Sequence, residues 1–176
     1  MKKNIIALFF IILIAGGLVF YFKYYKQPTP TEVKTDESSI VSMCYYYADK
    51  TRNDTEDREW VRLDIDGGKV TGEHYYVPAE KDSKVGNFEG TVGAFDSNIS
   101  GRVAEVTWTA MAEGTENKEE LLIEFGEGSA VALFGEMVDK GDGTYAYKDK
   151  TKVTPGFPMW QMDCATLTAI LEDRSE

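Results

Sequence analysis

Between Trp60 and Val77 the chain alternates so strictly that one backbone geometry suits it. Val61, Leu63 and Ile65 fall on one face and Arg62 and Asp64 on the other. Asp66-Gly67-Gly68 then reverses the chain, and Val70 to Val77 returns before Pro78. Side chains of an extended strand point alternately to opposite faces, so a period of two with glycine at the reversal specifies a half-buried β-hairpin. The pattern recurs. Residues 40–48 are β-rich, with Tyr45, Tyr46 and Tyr47 in the middle. Residues 87–95, 102–112, 121–125, 129–138, 144–148 and 157–164 read as further strands. In residues 102–112, Ala104, Val106, Trp108 and Ala110 alternate with Glu105, Thr107 and Thr109. Residues 79–86 and 96–101 read as loop and turn, residues 113–119 as a charged hairpin loop. Residues 165–172 read as a short terminal helix with Leu167, Ile170 and Leu171 on one side.

Eight or nine sequential strands with short connections tend to pair with their neighbours. The expected fold is all-β: an antiparallel meander closed into an eight-stranded barrel, because closure removes exposed sheet edges. A two-sheet β-sandwich is the alternative. Gly72 and Gly90, at alternating inward positions, leave space in such a barrel or relieve crowding at bends.

A different kind of segment precedes these strands. Residues 5–22 carry no charged side chain, and eighteen helical residues rise about 27 Å, the thickness of a hydrocarbon core. Lys2 and Lys3 flank one end. Tyr21, Tyr24, Tyr25, Lys23 and Lys26 gather at the other, as interfacial anchors do. A cleaved signal peptide is the competing reading, but its apolar run is usually shorter, and this one continues through Leu18-Val19-Phe20-Tyr21-Phe22. Residues 1–26 are thus expected to be an uncleaved, single-pass signal anchor in the membrane, N-terminus in the cytoplasm. Residues 27–39, opening Gln27-Pro28-Thr29-Pro30, form an extended linker. Residues 40–176 form the β-domain, outside the cytoplasm in the cell envelope.

That placement bears on the two cysteines, Cys44 and Cys164, which lie near the ends of the β-domain. In an exported domain two cysteines usually pair as a disulfide; in a cytoplasmic one they would be separate buried thiols. With one histidine they are too few for a zinc site, and no metal or cofactor is expected. Charge narrows the partners. Of 19 Lys and Arg, four precede residue 27, leaving 15 against all 30 Asp and Glu, a balance of −15 for residues 27–176. So acidic a surface repels nucleic acid and suits a basic protein or peptide.

Candidate ligand contacts are His74, Tyr76, Trp60 and Trp108. His74, the only histidine, shares a strand face with Val70, Gly72 and Tyr76. It can act as a base or ligand contact, or simply as a hydrogen-bonded strand residue. Trp60, opposite Val61 and Leu63, points out of a barrel, where a tryptophan suggests a partner. The tyrosines suit strand packing as well as binding. No nucleophile elbow or phosphate loop occurs. Asp64-Ile65-Asp66-Gly67 fails as a calcium loop because its twelfth position is Tyr75, and Asp139, Asp142 and Asp149 are explained by turns.

Two stretches carry a resemblance: residues 78–86 with Phe88-Glu89-Gly90-Thr91-Val92, and Gly135-Glu136-Met137 with Gly141-Asp142-Gly143-Thr144-Tyr145. They resemble uncharacterised bacterial envelope proteins of the putative-lipoprotein type, which implies no activity. The chain lacks a cysteine after its apolar run, so it departs from the lipoprotein form. The meander also loosely resembles calycin-type barrels, without the glycine-x-tryptophan opening of lipocalins. Two functions follow as expectations. The first is a non-enzymatic, membrane-anchored binding or interaction module. The alternative is a small-molecule-binding or hydrolytic barrel using His74 and nearby carboxylates.

Overall fold

The computed structural model describes residues 40–173 apart from Arg52 and Asp54. The expected anchor and linker, residues 1–26 and 27–39, lie outside them. Eleven strands run β1 (Val41–Lys50), β2 (Glu56–Asp66), β3 (Lys69–Val77), β4 (Lys84–Val92), β5 (Arg102–Ala112), β6 (Thr115–Phe125), β7 (Ser129–Phe134), β8 (Met137–Asp139), β9 (Thr144–Tyr147), β10 (Thr154–Pro155) and β11 (Met159–Met162). One helix, α1 (Cys164–Asp173), follows. Among the described residues, no helix is long and apolar enough to cross a membrane.

Strands β1 to β7 pair in sequence, each antiparallel to the last. β11 then pairs with both β7 and β1 and closes an eight-stranded barrel. The fold is all-β and the closed barrel, not the sandwich, is the architecture. The neighbour rule breaks once. After β7 the chain leaves the wall as a β8–β9 hairpin, whose β9 lies parallel to β6, and returns through β10 to complete closure with β11. This excursion covers the outer wall, where Tyr147 packs with Leu122 and Leu133.

Three sequence boundaries need correction. Residues 113–119 are not a loop: β6 starts at Thr115, and Glu113-Gly114, both at positive φ, make the whole turn. Their charges gave a loop signal, but Glu116 and Lys118 are exposed and Glu119 pairs with Lys84 on β4 at 2.7 Å. The fourth strand runs Lys84–Val92 instead of 87–95, because Tyr76 pairs with Lys84 and Val92 with Ala104. The 129–138 run splits at Gly135-Glu136, where the chain departs from the barrel.

The interior is packed. Tyr45, Val61, Leu63, Phe88, Trp108, Leu121 and Ile123 are buried in one cluster. Gly72 serves this packing: a Cβ there would collide with the Arg62 carbonyl and come 2.6 Å from Phe88 Cζ. Gly90 meets Glu105 and Val106 in the same way. The two glycines therefore permit close approach of neighbouring backbones and a ring, and do not open a void.

Candidate functional site: a capped barrel mouth

One end of the barrel holds its only two buried polar side chains among the described residues. Extending the β2 alternation backwards from Val61 puts Glu59 and Asp57 on the inner face. The β2–β3 register sets His74 opposite Val61, hence diagonal to Glu59. His74 Nε2 and Glu59 Oε1 are 2.9 Å apart, and both side chains are fully buried. The imidazole rests against Trp108, ring centroids 4.7 Å apart, and Phe134, at 6.3 Å. Trp108 is fixed by its own Nε1–H, which donates to the Gly86 carbonyl at 3.1 Å. His74 Nδ1 is buried with no hydrogen-bond partner.

The second oxygen of Glu59 does something else. It accepts the backbone N–H of Phe157 at 3.0 Å. Phe157 lies in the connection from β10 to β11 and turns across the mouth. Its ring stacks on Tyr47 at 4.7 Å and on Tyr76 at 5.7 Å, and Tyr76 in turn meets Phe134 at 5.0 Å. Gly156 makes the crossing possible. Its N–H donates to the Ala132 carbonyl at 2.8 Å, and a Cβ there would sit 2.7 Å from Phe134 Cε2 and 3.1 Å from Glu59 Oε2. The mouth is thus closed by an aromatic cap clamped on a buried carboxylate.

Outside the cap is an open cleft of about 500 Å³ bordered by Asn53, Asp57, Tyr76, Glu80, Lys81 and Phe157. Its rim is built: Asp57 Oδ1 accepts the Ala79 N–H at 2.7 Å, and Glu80 Oε1 accepts Asn53 Nδ2 at 3.1 Å. Burial and then the carboxylates of Glu59 and Asp57 push the Tyr76 phenol above its ordinary value. Tyr47 is raised by burial, Asp49 and Asp57. Burial is the larger cause of both shifts, and the nearby carboxylates add to it.

The sequence-derived candidates separate. His74, Tyr76 and Trp108 come together on the inner face. Trp60 points outward as expected, at the floor of a cleft of about 310 Å³ that Arg58, Glu73 and Leu171 also line. It is only 7% exposed, stacks on Tyr75 at 4.0 Å, and is covered by α1 through Leu167 and Leu171. An outward position on a strand is not a fully exposed one when a terminal helix folds back over it. The exposed tryptophan is Trp160, at 64%. Glu59 was missed because the strand seemed to start at Trp60. Continuing the alternation two residues and reading the register from Gly67-Gly68 would have found it.

Cys44 and Cys164 are joined in a disulfide, Cα atoms 5.2 Å apart, which pins the start of α1 to β1. Asp139, Asp142 and Asp149 each accept a backbone N–H two residues on, from Gly141, Thr144 and Thr151, the turn role expected of them. Compared with protein-family models, curated proteins and solved structures, the chain matches none.

Proposed function

We propose that this chain is a single-pass, membrane-anchored protein whose barrel stands outside the cytoplasm and binds a cationic group of a basic protein or peptide at the capped mouth. The observation that carries the reading is that two carboxylates, Asp57 and Glu80, border one open cleft beside the aromatic cap, against the single lysine Lys81. Ammonium and guanidinium groups are attracted to paired carboxylates, and the balance of −15 over residues 27–176 steers such partners from a distance. The packed interior favours a ligand held at the mouth over one enclosed in the barrel. The buried Glu59–His74 pair then serves the cap. Both Glu59 oxygens are engaged, which argues against a hydrolytic role.

Anchoring is supported by the uncharged residues 5–22, and an oxidising surrounding by the disulfide. Carbonate washing of membranes and protease protection of the full chain test the placement. The binding test is titration of the full chain with an arginine-rich peptide at low and high salt. Asp57→Asn with Glu80→Gln should weaken binding about tenfold at low salt, with less effect at high salt. Equal binding by the double variant would remove the mouth as the site.

A further inference from the structure

Four of the seven exposed large apolar side chains among the described residues lie at the end of the barrel opposite the mouth. Ile40 (62% exposed) and Val41 (53%) begin β1 there, Val41 pairing with Ile65 beside the β2–β3 turn. Phe95 (66%) and Ile99 (38%) project from the β4–β5 connection at the same end, where Val92 N–H donates to the Gly68 carbonyl. The connection is tightly made. Asp96 and Gly101 exchange both backbone hydrogen bonds, at 2.7 and 3.1 Å, and Arg102 Nε donates to the Gly93 carbonyl at 2.9 Å. Residues 93–101 include one ionisable group, Asp96, and its Oδ1 accepts both the N–H and the Nδ2 of Asn98 at 2.8 Å. In a chain this acidic, the loop is a charge-poor patch with two exposed apolar side chains.

Where the chain enters bears on what covers this patch. Residue 40 opens the barrel at this end, and the apolar run stops at Phe22. Seventeen residues lie between, able to span about 55 Å when fully extended. That length leaves the height of the barrel free, so the surface facing the bilayer decides whether it touches. We infer that this end rests on the membrane, with Phe95 and Ile99 in the interfacial layer of the lipid. The inference rests on the anchoring reading above. It gives that reading an orientation: the capped mouth faces away from the bilayer.

The test uses the full chain in phosphatidylethanolamine and phosphatidylglycerol vesicles, with and without bromine on the acyl chains. Phe95→Trp adds an emitter at the loop tip. Brominated lipid should lower the emission this tryptophan adds by about twofold, because an aromatic ring at the headgroup level lies within reach of the bromines. The chains with and without Phe95→Trp both carry Trp160→Phe, because Trp160 is also exposed, beside the β6–β7 turn towards this end; the emission of Trp60 and Trp108, which are buried, should then change little. Added emission that is quenched by aqueous acrylamide and not by the brominated lipid overturns the inference while leaving the anchor intact. Shielding from both quenchers that grows with the protein-to-lipid ratio also overturns it, by making a second copy the occupant. Carbonate washing of the same vesicles separates the two levels: a chain that washes off loses the anchor, and this inference with it.

Discussion

The barrel carries two short covers, and it fastens them by opposite means. At the mouth, the β10–β11 connection lays Phe157 between Tyr47 and Tyr76, and its backbone is held by a buried carboxylate. On the outer wall, α1 lays Leu167 and Leu171 over Trp60, Tyr46 and Tyr75, and its first residue is tied by a disulfide. Its start is also capped, since Asp163 Oδ1 accepts the N–H groups of Ala165 and Thr166 at 3.0 and 3.1 Å. A covalent tie is indifferent to packing around it. A buried hydrogen-bonded carboxylate depends on every surrounding partner, because a polar group in a dry interior is tolerated only while it is hydrogen-bonded. The wall cover is therefore fastened for permanence, and the mouth cover by a contact that chemistry at the mouth can perturb.

The strongest break in this comparison comes from the disulfide. Cys44 and Cys164 are 120 residues apart. Replacing both with alanine should lower stability by about 4–5 kcal/mol, read from the denaturant midpoint. Trp60 emission should also move to longer wavelength as α1 loosens. Unchanged emission would mean that packing alone holds the helix.

Next in size is Glu59→Ala, which strands both His74 Nε2 and the Phe157 N–H in a buried space; a loss of about 3–5 kcal/mol is expected. Replacing both Glu59 and His74 by methionine should recover much of that loss. If the double variant is as unstable as the single one, the pair is not what makes Glu59 costly to remove.

Leu167→Ala, with the disulfide intact, should cost about 2–3 kcal/mol, since the side chain is the one buried residue of α1 and packs only on the outer wall. A smaller effect would sharpen the contrast by giving the tie nearly all the work of holding α1.

The smallest neutral-pH effect belongs to Tyr45, deep in the barrel, whose hydroxyl donates to the Gly126 carbonyl at 2.9 Å. Burial pushes its phenol up to about 12, from 10.0. Tyr147 is likewise raised to about 12, by burial first. A folded-state value above the unfolded one means that stability is complete below pH 10 and falls as pH rises towards 12. Tyr45→Phe should cost about 1 kcal/mol at neutral pH, the worth of one hydrogen bond, and flatten part of that alkaline decline. An alkaline limb identical to that of the parent chain would assign the loss to other groups.

Much of the wall was legible because period-two alternation is a local property. The β2–β3 hairpin and residues 102–112 need no distant contact to declare their faces. The inward set of His74, Tyr76 and Trp108 followed from it. The cap did not, since the Phe157 N–H meets Glu59 across 98 residues and only closure of the barrel brings them together. Trp60 shows the same limit from the other side: its direction was local, its burial was not.

By itself the sequence determined that this chain makes strands, where most of them turn, and which face of each is apolar, because sterics and alternation act between near neighbours. Tertiary structure decided that β11 inserts between β7 and β1, that a disulfide-tied helix hides Trp60, and that Glu59 holds the mouth shut. Those depend on which distant surfaces meet, and neither propensity nor spacing encodes that meeting until the barrel closes.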